Sequence, residues 1–148
     1  MESLETLLTL LRQHDLKITP QRRLILELLV DDRSHPTADQ IYQRVITQMP
    51  NVSRTTVYNT LHELVALGIL REVQDLSAGG LRYDTQPEPH HHLFCTRCHS
   101  LVDIEREFDG VMLTSEETAG YQIARYHVTF YGICPACQQA IEHERAPA

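Results

Sequence analysis

Residues 53–84 read SRTTVYNTLHELVALGILREVQDLSAGGLRYD, and a change of period inside this stretch decides the fold. From Ser53 to Gly68 the apolar positions Val57, Leu61, Leu64 and Val65 recur at the spacing of one helix face. Ser53 stands as the N-cap, and Gly68 offers the left-handed stop that ends a helix. Beyond Gly68 the pattern shortens. Ile69–Val73 reads as a strand, Ser77–Gly80 as a turn and Leu81–Tyr83 as the returning strand. A helix that runs directly into a β-hairpin is the second half of a winged helix-turn-helix.

Upstream, the chain supplies the remaining helices. Leu4, Leu7, Leu8 and Leu11 keep one face apolar. Thr19-Pro20 is a helix start, with threonine as cap and proline at the first helical position, and Ile25, Leu28 and Leu29 follow inward. Thr37 opens a third helix, with Gln40 completing a capping box and Ile41 and Val45 facing the core. Pro50-Asn51 breaks it. The expected architecture is α+β: a winged-helix DNA-binding domain over 1–84, a hinge over 85–89 with two prolines, and a second α/β domain over 90–148. In that second part Leu93-Phe94, Leu101–Ile104 and Ile123–Phe130 are expected strands. Residues 109–119 are an expected short helix, and Pro135–Arg145 a terminal one.

Composition divides the chain along the same line. The net charge is −7, but residues 1–84 account for only −2 of it. The remaining part carries −5, together with six of nine histidines and all four cysteines. An acidic, His/Cys-rich half points to cations, while the near-neutral first half leaves room for a basic face. The leading MESLETLLTLLRQ lacks the basic start of an export signal, and no apolar run approaches the ~18 residues of a membrane span. A cytoplasmic location is the expectation, and cysteines there are more often metal ligands than disulfides.

The outward face of the helix opened by Ser53 carries Arg54, Thr55, Tyr58, Asn59 and His62. Arginine near a helix start neutralises phosphate, asparagine reads adenine, and threonine or tyrosine packs on a thymine methyl. Any solvated helix has a polar face; the hairpin behind this one tips the reading towards DNA. Lys17, Arg22 and Arg23 are candidate backbone contacts.

Cys95-Thr-Arg-Cys98 and Cys134-Pro-Ala-Cys137 form two CxxC pairs with no cysteine left over. Each pair offers two sulfurs from one tight turn, and two pairs close a tetrahedral shell of the structural zinc type. A redox pair or ordinary buried cysteines are the alternatives, and the doubled spacing argues against both.

His90-His91-His92 precedes the first CxxC. On a strand, His90 and His92 share one side and His91 faces the other. With His35, Asp84 and Asp103 they would make a nitrogen and oxygen site suited to Fe(II), Mn(II) or Zn(II). Singly, each residue has a plainer explanation: a loop histidine before Pro36, a turn aspartate, a solvated strand end, a surface histidine patch. Spacing alone leaves both readings open.

Taken together, these residues resemble the ferric uptake regulator family. The likeness runs from ITPQR at 18–22 through His35-Pro36-Thr37-Ala38, Thr56-Val57-Tyr58, the HHH-xx-CxxC block, Val102-Asp103 and His127 to YGICPAC at 131–137. The resemblance implies a homodimeric, metal-dependent repressor of double-stranded DNA operators, with a C-terminal dimerisation domain and structural Zn(2+) on Cys95, Cys98, Cys134 and Cys137. Within the family, the chain is most similar to the peroxide-sensing branch. That similarity implies a regulatory Fe(2+) or Mn(2+) held by His35, Asp84, His90, His92 and Asp103, with His35 and His90 open to oxidation. Iron-uptake members typically carry glutamate at the two aspartate positions, so Asp103 is the most discriminating residue. The Tyr58-Asn59 pair resembles that branch too, whose operators are AT-rich inverted repeats. His91 and His127 match parts of an additional metal site found in some relatives, but Pro89 stands where those relatives often have another histidine.

The expected mechanism is a bridge. An ion shared by His35 and Asp84 from the first half and His90, His92 and Asp103 from the second would set the angle between domains. In a dimer, that angle sets the spacing of the recognition helices. The rival readings are an iron- or manganese-responsive repressor of metal uptake genes, a metalloenzyme, and a zinc-ribbon module without DNA binding. Five protein ligands leave an enzyme little room for substrate, so no catalytic residue is assigned.

Overall fold

The computed structural model describes residues 3–75, 80–86 and 90–145. The chain forms two compact units, Met1–Pro87 and Glu88–Ala148. The expected turn at Ser77–Gly80 lies outside the described residues except for Gly80, and so does the Pro87–Pro89 part of the expected hinge.

In the first unit, α1 (Leu4–Gln13), α2 (Pro20–Leu29), α3 (Ala38–Gln48) and α4 (Arg54–Ala66) begin at side-chain caps. Ser3, Thr19, Thr37 and Ser53 each accept a hydrogen bond from the backbone N–H three residues on. Thr37 and Gln40 close the reciprocal box, with Gln40 Oε1 accepting from Thr37 N at 2.9 Å. At the far end of α4, Gly68 adopts φ +71° and its N–H donates to Val65 O at 2.9 Å. The left-handed residue turns the chain out of the helix without a Cβ penalty.

The apolar faces of these helices meet in one core. Leu8, Leu11, Ile25, Leu29, Ile41, Val45, Val57 and Leu61 are essentially inaccessible to solvent. Burying each such side chain is worth ~1.5–3 kcal/mol. Ile69 and Leu70, read from sequence as the start of a strand, are buried in this core instead. The wing begins two residues later, as β1 (Arg71–Asp75) paired antiparallel with β2 (Gly80–Asp84). An isolated bridge between Thr37 and Arg82, with Tyr83 N donating to Pro36 O at 3.0 Å, ties the segment before α3 to β2.

In the second unit, β3 (His91–Cys95) lies between β4 (Leu101–Ile104), antiparallel, and β5 (Thr129–Gly132), parallel. Helix α5 (Pro135–Arg145) follows. Two expectations are corrected here. Residues 109–119 are not a helix. Thr114 and Glu117 do form a reciprocal cap, with Thr114 N to Glu117 Oε2 at 2.8 Å and Glu117 N to Thr114 Oγ1 at 3.3 Å. Ala119 and Gly120 then take positive φ (46° and 82°), which stops the structure after a single turn. The strand expected over Ile123–Phe130 covers only 129–132, because pairing with β3 begins at Thr129.

Candidate metal centres

The cysteines converge through sheet register. Cys95 ends β3 opposite Gly132 of β5, and Thr96 N donates to Gly132 O at 2.8 Å. This pairing brings the Cys95–Cys98 turn beside Cys134 and Cys137, which flank Pro135 at the start of α5. The four Sγ atoms lie within 4.8 Å of one another, with Cys98 and Cys134 at 3.7 Å. Zinc–sulfur bonds of ~2.3 Å in a tetrahedron put sulfurs about 3.8 Å apart, so the cluster fits Zn(II). No disulfide joins these cysteines.

Local hydrogen bonds prepare the thiols. Those from the Cys98 and Cys134 backbones hold the Cys95 thiol down at about 6, and Cys134 N lies 3.3 Å from its sulfur. The Ser100 hydroxyl and backbone lower Cys98, whereas hydrogen bonding to Cys134 pushes Cys137 up to about 12. His99 adopts φ 61°, turning the chain so that Cys95 N reaches Ser100 O at 2.9 Å. Arg97 braces the knuckle by donating to Cys137 O at 3.3 Å and to Glu144 at 2.6 Å.

The histidines and aspartates form one set in each unit. In the second unit, His92 and Asp103 are direct partners across the β3–β4 ladder. Asp103 Oδ1 stands 3.5 Å from His92 Nε2 and 3.3 Å from His90 Nε2, and all three side chains are buried. The two imidazole rings meet edge to face, with centroids 4.7 Å apart. A buried carboxylate facing two imidazole nitrogens is a donor set for a hard or borderline divalent cation.

In the first unit, His35 and Asp84 come together because the bridge at Thr37 and Arg82 aligns their neighbours. His35 Nε2 lies 4.0 Å from Asp84 Oδ1, and both residues are buried. His35 takes φ 50°, an uncommon backbone state for a residue with a side chain. Arg82 donates to His35 O at 3.1 Å, and Asp84 Oδ1 accepts from Gln86 N at 2.8 Å. Sequence reading missed the clamp behind this loop. Asp32 accepts from Ser34 N at 2.8 Å and pairs with Arg44, which also donates to Leu28 O at 2.8 Å. Burial raises the Asp32 carboxyl pKa, but hydrogen bonds from Ser34 and Arg44 outweigh burial and hold it below its usual value. The local signal was Asp32-x-Ser34, an Asx-turn pattern.

On α4, Arg54, Thr55, Tyr58, Asn59 and His62 are exposed, opposite the buried Val57, Leu61 and Leu64. Arg54 pairs with Asp39 of α3 and stacks 4.5 Å over the Tyr42 ring. Lys17 and Arg23 are exposed. Arg22 is half-buried and committed inward, donating to Glu63 from two nitrogens at 3.1 and 2.6 Å and to Lys17 O at 2.7 Å.

His91 faces away from the Asp103 cluster. Its Nδ1 accepts from Val128 N at 3.1 Å, and its ring stacks on Tyr126 with centroids 5.4 Å apart. Its neighbour in the resemblance, His127, is placed against His92.

A helix-turn-helix with a two-stranded wing, followed by a unit holding a tetrathiolate cluster, defines a winged-helix metalloregulator. The chain belongs to the ferric uptake regulator family, which residues 13–131 match. It is 34% identical over 136 residues to the peroxide-responsive repressor PerR of Staphylococcus saprophyticus, covering 91% of each chain. Among solved structures it is similar to PerR from Streptococcus pyogenes, described as a basis for peroxide sensing and gene regulation. That match has 30% identity and a TM-score of 0.55, covering 93% of this chain and 95% of that one. The fold is shared with the Helicobacter pylori ferric uptake regulator, at 19% identity and a TM-score of 0.70, covering 93% and 95%. The family is one of transcriptional regulators, which sets aside the metalloenzyme reading. No described helix is long and apolar enough to cross a membrane.

Proposed function

We propose that this chain is a homodimeric, cytoplasmic, metal-dependent repressor that responds to peroxide. The observation that carries this reading is the Asp103 carboxylate facing His90 and His92, in a chain so similar to named peroxide-responsive repressors. Structural Zn(II) on Cys95, Cys98, Cys134 and Cys137 ties β3 to α5. The regulatory ion, Fe(II) or Mn(II), is held by His35, Asp84, His90, His92 and Asp103. Two carboxylates balance the charge of a divalent cation, and three imidazoles complete a hard and borderline donor set.

These five ligands come from both units, so an ion they share fixes one unit against the other. In a two-fold dimer that posture matches the recognition helices to half-sites on the duplex. Thr55, Tyr58 and Asn59 read bases, while Lys17 and Arg54 meet phosphates. Arg22 serves this face through Glu63, by holding α2 against α4. The operator we propose is an AT-rich inverted repeat. Homodimer formation has a candidate surface in the second unit, where Val111, Met112, Leu113, Tyr121, Phe130 and Tyr131 are exposed.

Fe(II) held by these residues would supply the one-electron reduction of peroxide next to the ligand imidazoles, with peroxide as both the oxidant and the source of the oxygen atom. His35 and His90 are the residues that take up oxygen, which lowers their ligand strength and frees the units from one another. Mass spectrometry of Fe(II)-loaded protein treated with peroxide tests this. Peptides containing His35 or His90 gain one oxygen as operator DNA is released, and Mn(II)-loaded protein keeps both its mass and its DNA. Release of DNA with every histidine unmodified would overturn the oxidation mechanism.

A further inference from the structure

His92 is held from both sides of its ring. Its Nε2 faces Asp103 Oδ1 at 3.5 Å, and its Nδ1 lies 2.6 Å from His127 Nε2, with the two ring centroids 4.7 Å apart. At that distance one of the two nitrogens must carry the proton. We propose that His92 carries it on Nδ1 and donates it to His127, making His127 a positioning residue for the regulatory metal. This inference rests on the reading of His92 as a metal ligand.

A neutral imidazole has one N–H and one lone pair. With the proton committed to His127, the lone pair of His92 lies on Nε2, on the side of Asp103 and His90. A ligand histidine oriented through its other nitrogen is the usual outer arrangement of a metal site. Sheet register places the pair: His92 N donates to Val128 O at 3.0 Å, and His127 stands two residues before the paired segment of β5. The same register turns His91 to the opposite face, where its Nδ1 is occupied by Val128 N–H and its ring by Tyr126. His91 and His127 therefore serve different partners. The two rings lie 6.2 Å apart, but the Nε2 of His127 is taken by His92 and the Nδ1 of His91 by Val128 N–H, so two ions per protomer are expected, with His127 supporting the regulatory one.

The test compares full-length wild type, His127→Leu, His127→Gln and His92→Ala, all zinc-replete. Mn(II) affinity is measured by titration, and His92 protonation by long-range proton–nitrogen NMR, with diamagnetic Zn(II) in place of Mn(II) at the regulatory site. Loss of Mn(II) binding in His92→Ala establishes the underlying reading; Mn(II) binding unaffected there would overturn that reading itself. Given that loss, His127→Leu is expected to weaken Mn(II) binding by about 10–100-fold, with zinc content and melting temperature unchanged. His127→Gln, whose carbonyl still accepts a hydrogen bond, recovers most of the affinity, and wild-type His92 shows its proton on Nδ1. Wild-type affinity in His127→Leu, a His92 proton on Nε2, or a second Mn(II) equivalent in wild type that His127→Leu loses would each overturn the proposal.

Discussion

Asp103 lies directly across the β3–β4 ladder from His92, and one of its carboxylate oxygens serves His90 and His92 alike, at 3.3 and 3.5 Å. Strand alternation accounts for this. His90 and His92 are two residues apart and share a face, and the short aspartate side chain on the neighbouring strand ends between them. A glutamate there would carry its carboxylate one methylene further out.

The Asp103 arrangement predicts a selective loss. Asp103→Asn keeps the side-chain shape but removes the charge that balances a divalent ion. Mn(II) affinity should fall by about tenfold or more, while the zinc content measured by atomic absorption stays at one per protomer. Unchanged Mn(II) binding would place the regulatory ion elsewhere.

The tetrathiolate predicts that the second unit depends on its metal. Cys134→Ser removes one of the four sulfurs while keeping the backbone N–H that donates to Cys95 Sγ, so it tests the thiolate shell alone. Because structural zinc contributes on the order of 10 kcal/mol to small domains, the variant should lose zinc and show a markedly lower melting transition by circular dichroism. A zinc-free variant that melts like wild type would make the site dispensable.

Two residues on or beside α4 should separate positioning from contact. Arg22→Ala breaks the pair with Glu63 and should destabilise the first unit by about 1–3 kcal/mol. Because Arg22 is not placed at phosphate, the salt dependence of DNA affinity should keep its wild-type slope. Asn59→Ala should leave stability intact and reduce discrimination at one base pair by about 1–3 kcal/mol. A shallower salt slope in Arg22→Ala would show that it meets phosphate directly.

Asp32 gives the first unit a pH-dependent element. Its carboxyl pKa is lowered in the folded state, so its contribution is fully present above the ordinary aspartate value and is lost as pH falls through the lowered one. Wild type should therefore lose more stability than Asp32→Asn when urea melts are compared between neutral pH and the acid side of that range. Equal losses would remove Asp32 from the clamp on the His35 loop.

What was legible in the sequence was what local chemistry decides. Thr19-Pro20, Thr37 with Gln40, Ser53 and Gly68 act within a few residues of themselves, and all four mark real helix ends. The CxxC pairs were legible because each brings its two sulfurs together without help from the rest of the fold. Long-range register was not legible. Nothing near His35 announces that Thr37 bridges to Arg82 and so brings Asp84 within 4.0 Å. Nothing near His127 announces that β5 runs parallel to β3 and sets it against His92. The misread helix at 109–119 had a genuine cap in Thr114 and Glu117; it failed because two consecutive residues of positive φ, one an alanine, end it after a turn.

The proposed bridge is tested most directly by operator binding of His35→Ala in a gel-shift titration with Mn(II), on DNA first selected from a random pool by the wild-type protein. His35→Ala should be a folded, zinc-replete dimer that no longer gains operator affinity when Mn(II) is added, whereas wild type gains it strongly. A His35→Ala protein that still requires Mn(II) and binds the operator as tightly as wild type would contradict the bridge.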